Sequence, residues 1–428
     1  MSGDAMRFEA GEAFARRLDA EDPLRSFRDE FLFPVHGEGH ELYLLGNSLG
    51  LQPRKAKDDV LRAMEDWARL GVDGHFKGSP PWMEFHVPIG EQMARVVGAQ
   101  PSEVVVMNTL TVNLHLMMVS FYRPTRERSK ILMEASAFPS DQYAVAAQVR
   151  HHGLEPAQTV IALSPRPGEE TLRHEDILDA LERHGKEIAL VLLGNVNYLT
   201  GQAFDMASIT RAAHRQGCRV GFDLAHAAGN LLLSLHDDGP DFAVWCSYKY
   251  LNGGPGAMGG VFIHERHLRD ASLHRLPGWW GNDKRSRFQM KPDFEPSPGA
   301  EGWVLSNPPI LQLAALRASM ELFERATMPA LRAKSEKLTG YLEFLLDRLP
   351  AGFVRSLTPR DPKQRGAHLS LRFGKSPERM LETLRAEGIH CDFRSPDIIR
   401  AAPVPLYNSF LDVQRFVDVL ERHARGPG

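Results

Sequence analysis

Lys249 and Asp223 are the two residues whose types and placement point most directly to chemistry. Lys249 stands in Ser247-Tyr248-Lys249-Tyr250, directly after the apolar run 242–246, and enters a glycine-rich turn. A long cationic side chain belongs on a solvated face, and every other lysine lies in a polar or charged stretch such as Arg54-Lys55-Ala56-Lys57. A partly desolvated amine gives up its proton more readily and becomes a nucleophile toward carbonyl carbon. Asp223 follows the run 219–222 in Gly221-Phe222-Asp223-Leu224-Ala225-His226. Taken alone it reads equally well as a helix N-cap, and His226 as a satisfied structural histidine. Together the pair fits pyridoxal phosphate. That cofactor needs a lysine for its Schiff base and an acid to keep its pyridine nitrogen protonated.

The elements around these residues must bring them together. Near-continuous apolar runs at 104–107, 130–133, 189–193, 219–222 and 243–246 read as buried strands. They alternate with helical patterns at 113–121, 140–151, 175–184 and 206–216. That alternation predicts an α/β domain with a mostly parallel sheet. Ligands of such sheets bind beyond the carboxyl ends of the strands, where Asp223 and Lys249 fall. A cofactor phosphate needs donors at a helix N-terminus. Asn108-Thr109-Leu110-Thr111 supplies them, and Phe138-Pro139-Ser140-Asp141 is a second strand-to-helix turn with an aromatic ring for stacking. Capping explains the hydroxyls of both turns equally well. Gly254-Pro255-Gly256-Ala257-Met258-Gly259 matches a dinucleotide fingerprint in letters only, because it leads into a strand at 260–264 rather than opening a helix. Two long helical patterns, 309–325 and 328–349, precede strand candidates at 368–373, 390–393 and 398–401 among helices at 377–387 and 410–425. That is a smaller α+β domain. The expected division is an N-terminal segment, 1–70, packing with the small domain, a large domain, 71–325, and a small C-terminal domain, 326–428.

Composition narrows the partners. The chain has 428 residues, with 51 basic and 54 acidic side chains and a formal charge of −3. That balance leaves no electrostatic footprint for nucleic acid or an anionic membrane. No apolar run reaches membrane-span length, and 1–17 lacks the apolar core of a signal peptide, so a cytoplasmic location is expected. Cys218, Cys246 and Cys391 are too few and too separated for a disulfide framework or a cysteine-rich zinc site, and no metal is expected.

Leu44-Leu45-Gly46-Asn47-Ser48-Leu49-Gly50-Leu51, with the blocks 108–115, 137–143, 221–230, 245–252, 306–310 and 401–409, closely resembles the kynureninases. The resemblance runs from about 42 to 416 and is nearer to the eukaryotic-type members. It implies the pyridoxal-phosphate fold type I, like aspartate aminotransferase: a large domain with a mostly parallel sheet plus a smaller α+β domain. The implied activity is hydrolysis of L-kynurenine and 3-hydroxy-L-kynurenine to L-alanine plus anthranilate or 3-hydroxyanthranilate. A homodimer with shared active sites is the family expectation. Position by position, the resemblance makes Leu110, Thr111, Phe138, Pro139, Ser140, Asp141, Asp223, His226, Tyr248, Lys249, Trp279 and Asn307 cofactor residues. Lys249 becomes the Schiff-base lysine, Asp223 the pyridinium partner and Tyr248 a phosphate ligand and proton carrier. His75, Trp280 and Asn307 fall to the aromatic half of the substrate, and Arg400 to its carboxylate. Without the family, Trp279-Trp280 reads as packing and Arg400 as a surface or interface charge.

Two positions depart from the family. Gly194 stands where some members carry a serine, leaving that hydrogen bond missing or supplied by Asn195. Trp280 replaces a phenylalanine. The alternative within the same chemistry is a cysteine desulfurase-like lyase, which needs a mobile nucleophilic cysteine. Cys391 is its candidate, yet the alternation in Ile389-His390-Cys391-Asp392-Phe393 predicts a strand and an inert thiol.

Overall fold

The structure is a computed structural model that describes residues 8–270, 272–374 and 377–426. Seven short runs form one sheet: β1 (Val104–Met107), β2 (Lys130–Glu134), β3 (Val160–Leu163), β4 (Ile188–Gly194), β5 (Arg219–Asp223), β6 (Phe242–Cys246) and β7 (Gly259–Ile263). Their order is β1-β7-β6-β5-β4-β2-β3, and β7 alone runs antiparallel to its neighbours. The central strands are buried almost throughout, as a sheet covered on both faces requires. Close packing is written into small residues. A Cβ on Gly260 would come within 2.2 Å of the Trp245 indole on the neighbouring strand. The run 254–259 enters β7 and opens no helix, as its position in the sequence indicates.

β3 is the strand of this sheet that the sequence pattern does not reveal. It lies at the sheet edge with partly exposed side chains, so it lacks the fully apolar signature of its neighbours. The second sheet is antiparallel, with β8 (Val354–Ser356), β9 (Leu369–Phe373), β10 (Asp392–Arg394) and β11 (Ile398–Ala401) in the order β8-β9-β11-β10. The expected single strand over 390–393 splits at Cys391. Ile389–His390 pairs in parallel with Leu42–Tyr43, while β10 pairs with β11, so the run serves two different partners.

Two hydrophobic cores follow these sheets. The Met328–Leu346 helix joins them, giving Leu331 to the larger and Leu338, Tyr341, Leu342 and Leu345 to the smaller. The first 70 residues, expected to pack with the small domain, divide between the two. Phe14, Ala15, Leu18, Leu42 and Leu44 join the small core, whereas Phe27, Phe31, Leu51 and Ala63 join the large one. The Arg54–Leu70 helix buries a narrow stripe, Ala56, Asp59, Ala63 and Asp66, whose small residues let it pack closely on the Ile310–Ala326 helix. Between these parts, the segment around 44–50 acts as a strap. Leu44 C=O accepts from Ala402 N–H beyond β11 at 2.9 Å, and Gly50 N–H donates to Tyr248 C=O at 2.8 Å. Only glycine fits there, since a Cβ on Gly50 would lie 2.4 Å from the Lys249 carbonyl oxygen. Among the described residues no helix is long and apolar enough to cross a membrane.

Candidate active site

The carboxyl ends of the parallel strands open on one cavity. Parallel register sets Asp223 level with Gly194 on one side and Val244 on the other, so the strands end together. Each loop contributes to the lining. Leu110 and Thr111 follow β1; Phe138, Ser140 and Asp141 follow β2; Asp223 and His226 end β5; Tyr248 and Lys249 follow β6. Leu110 and Pro139 are also the first residues of the Leu110–Phe121 and Pro139–His151 helices. The two helix N-termini therefore meet at the cavity, with Thr111 Oγ1 and Ser140 Oγ 2.8 Å apart. Free N–H groups, two hydroxyls and two positive dipole ends make that corner an anion site. Pro139 starts its helix without lining the cavity.

Lys249 Nζ lies 3.0 Å from His226 Nε2. Burial, followed by the Lys249 charge, holds the His226 imidazole far below its ordinary range, so the ring is neutral and accepts from the amine. Its Nδ1 is buried without a protein partner. Asp223 Oδ1 accepts from Ala225 N–H at 2.7 Å, and its side chain also meets that of Asp141. Burial raises both carboxyls, Asp141 the more strongly because the Asp223 charge adds to the effect. Like charges so close cannot both ionise. Asp141 keeps the proton and donates it, while Asp223, with a backbone donor and the Lys249 charge nearby, is the ionised partner. Burial also raises the Tyr248 phenol, making it a proton donor at neutral pH.

Three polar lining residues escape the sequence reading. Glu134, the last residue of β2, is buried and pushed up to about 7 by desolvation, opposed by bonds from Asn197 and Gly194. Asn197 and Tyr198 follow β4. Their signal is the same as that of Asp223, a polar residue at a strand end, but the expected strands stop at Met133 and Leu193. His368 is a further buried ring, 5.7 Å from His226 and pushed down to about 3 by burial. Asn195, the expected alternative, does not line the cavity: its amide donates to Phe204 C=O at 3.1 Å, while Gly194 N–H donates to Glu134.

Arg400 is no surface charge, being 1% exposed. Its Nε and Nη2 pair with both oxygens of Asp392, and Nη1 donates to Tyr198 C=O at 2.5 Å. Of its five N–H bonds these use three, leaving one on each terminal nitrogen. Arg400, His75, Trp279, Trp280 and Asn307 do not line the cavity. Trp280 is 2% exposed and packs against Arg287 and His86. His75 packs edge-on against Trp82, whereas Trp279 and Asn307 face solvent. Among the described residues one group has the make-up of a metal site, Glu103 with His236 and His264. Its atoms are already engaged, since Glu103 accepts from Gln100 and Glu265 N–H and His264 Nδ1 from Arg266 N–H.

An amine, an ionised carboxylate and an anion corner around one cavity match the three demands of pyridoxal phosphate: covalent attachment, a protonated ring nitrogen and a bound phosphate. The orphaned Nδ1 of His226 is a buried polar atom that a ligand could partner. Comparison with known proteins agrees. A family profile described as the kynureninase C-terminal domain matches residues 331–420. A protein of Myxococcus xanthus named kynureninase is 69% identical over 419 residues, 98% of each chain. One of Koribacter versatilis with the same name is 58% identical over 414 residues, 96% of this chain and 98% of that one. Among solved structures, a cysteine desulfurase from Thermococcus onnurineus superposes with TM-score 0.73 at 19% identity, over 99% of this chain and 100% of the other. The cystine C-S lyase C-DES does so with TM-score 0.75 at 18% identity, over 89% and 97%. At such identities the two structures speak for the fold alone.

Proposed function

Because the chain belongs to the kynureninase family, we infer that its reaction runs in the cavity closed by Lys249. The activity is hydrolysis of L-kynurenine and 3-hydroxy-L-kynurenine, with pyridoxal 5′-phosphate as cofactor. Water cleaves the Cβ–Cγ bond: its oxygen ends in the carboxylate of anthranilate or 3-hydroxyanthranilate, and Cβ gains a proton to give L-alanine. The observation that carries the reading is the meeting of Lys249, Asp223 and two helix N-termini at one cavity.

The cofactor, when bound, supplies an electron sink for charge that develops at Cα and Cβ. The side chains do the rest. Leu110 and Thr111, with Ser140 and Tyr248, would hold the phosphate, and Phe138 would lie against the ring. Asp223 would keep the pyridine nitrogen protonated, steadied by the proton on Asp141. Lys249 Nζ would anchor the cofactor and take the substrate α-proton. Tyr248 delivers and accepts protons in the later steps. The two uncommitted N–H bonds of Arg400 grip the α-carboxylate.

His75, Trp279 and Asn307 reach a cavity only if a second chain brings them. That, with the exposed apolar residues Leu61, Met64, Trp67, Val72 and Phe76, supports a homodimer with sites built across its two-fold axis. Mixing Lys249→Ala with Asn307→Ala, assayed with 3-hydroxykynurenine, toward which both parents are impaired, tests it. Hybrid dimers carry one complete site, so the mixture is expected to exceed either parent and approach about a quarter of native activity. No gain would exclude shared sites. The buried, unpaired cysteines fit a cytoplasmic enzyme. For the domain boundaries, 326–428 remains our division for the small body.

His75 and Asn307 also bear on the choice between the two substrates. An imidazole and an amide can satisfy the 3-hydroxyl, whereas an apolar lining leaves it unpaired at about 1–3 kcal/mol, or roughly ten- to hundredfold in discrimination. The expected result is that His75→Phe and Asn307→Ala shift the ratio of kcat/KM values away from 3-hydroxykynurenine. An unchanged ratio removes both residues from hydroxyl recognition. The desulfurase alternative is not favoured, and Cys391 is buried in the small core with its thiol raised by desolvation. Cys391→Ser is expected to lose about 1–3 kcal/mol of stability to the buried hydroxyl and to keep native kynurenine turnover. Lost turnover in a folded variant would make the thiol catalytic.

A further inference from the structure

Glu134 lines the cavity, yet none of the steps above uses it. We propose that Glu134 is a positioning residue that acts through Asn197 and Tyr198 on the hold of Arg400 on the substrate carboxylate. The inference rests on the reading of Arg400 given above. Glu134 is 2% exposed. Its Oε1 accepts from Gly194 N–H at 3.0 Å and its Oε2 from Asn197 Nδ2 at 2.6 Å. That second bond fixes the Asn197 amide, whose Oδ1 accepts from Leu199 N–H and Thr200 N–H, both at 3.0 Å, and from Thr200 Oγ1 at 3.2 Å. An Asn side chain bonded ahead to its own backbone builds a tight turn. Tyr198 sits inside that turn, and it touches both halves of the site. Its carbonyl accepts from Arg400 Nη1 at 2.5 Å, and its ring meets Phe138 edge-on at 5.2 Å.

The chain of contacts has a direction. Asp392 holds one side of the Arg400 guanidinium, and the Tyr198 carbonyl holds Nη1. Turning the Asn197 loop moves that carbonyl, and with it the two N–H bonds left for substrate. Three donors already converge on the Asn197 Oδ1, and its Nδ2 donates to Glu134 Oε2 at 2.6 Å as its shortest bond, with Ser136 Oγ and C=O farther off at 3.3 and 3.4 Å. A buried carboxyl is a costly group to keep for packing alone. Desolvation holds Glu134 near neutrality, so it serves as an acceptor without adding a full charge beside Asp223.

Steady-state kinetics of the holoenzyme test this. Glu134→Gln keeps the size and the acceptor for Gly194 but sets an amide N–H against the Asn197 amide N–H. The expected result is a KM for L-kynurenine raised about tenfold with kcat within about threefold, the signature of lost substrate binding. Asn197→Ser, which breaks the same bond from the other side, should raise KM similarly. In Glu134→Gln with Asn197→Asp the polarity of the pair is reversed and the bond restored, and KM is expected to return to within about threefold of native. A merely structural role would lower the melting temperature of Glu134→Gln without this rescue. An unchanged KM in Glu134→Gln beside a raised KM in Arg400→Ala overturns the role of Glu134 alone. An unchanged KM in Arg400→Ala overturns both the role of Glu134 and the reading of Arg400.

Discussion

Lys249→Ala is expected to leave a folded chain whose turnover of L-kynurenine falls by at least about 10³-fold, because the general base and the covalent anchor disappear together. The fold has little to lose. The residue stands in the turn after β6, and its amine hydrogen-bonds the neutral His226 ring at 3.0 Å. The turn itself is set by backbone bonds, Asn252 N–H to Lys249 C=O at 3.0 Å and Gly50 N–H to Tyr248 C=O at 2.8 Å, which the substitution leaves intact. Anthranilate release, followed by fluorescence without added amine, reads the activity, and thermal melting reads the fold. Turnover within tenfold of native would mean that another amine does this work.

Asp223→Ala is expected to keep the covalent link to Lys249 and to lose about 10²–10⁴-fold in kcat, since the pyridine nitrogen is no longer held protonated. Asp141 does not rescue it. Its carboxyl is kept protonated by burial first and by the Asp223 charge second, so removing Asp223 relieves only the smaller cause. Asp223→Glu should fall between, because the charge survives while its placement shifts. The visible absorbance of the bound cofactor shows retention, and kcat shows the loss. A near-native rate in Asp223→Ala would assign the role to another group.

What the sequence made legible follows from burial. Strands covered on both faces are apolar throughout, so β1, β2 and β4–β6 stand out, and a lysine or aspartate at the end of such a strand is conspicuous. β3 hides because an edge strand mixes exposed and buried positions. Glu134 and Asn197 hide for a related reason: one residue of error at a strand end turns a cavity residue into a loop residue. Arg400 misleads when read as a charge in isolation, because its partners, Asp392 eight residues back and the Tyr198 carbonyl, are set by the β10–β11 pairing and by a distant loop. Trp280 and its neighbour differ in their surroundings. Its place beside Trp279 in the sequence puts two indoles together, but one faces solvent and the other is enclosed by Arg287. The Gly46–Gly50 portion of the strap is visible in the sequence as a glycine-bearing block, yet its task, holding the Lys249 turn against the strand of Arg400, appears only in three dimensions.

The most direct measurement is product stoichiometry from the purified holoenzyme and L-kynurenine, with Lys249→Ala run beside it. The expected result is one L-alanine for each anthranilate formed by the native protein and neither product from the variant. Contradiction would be anthranilate without alanine, equal product formation by the variant, or sulfide release from L-cysteine with no cleavage of L-kynurenine.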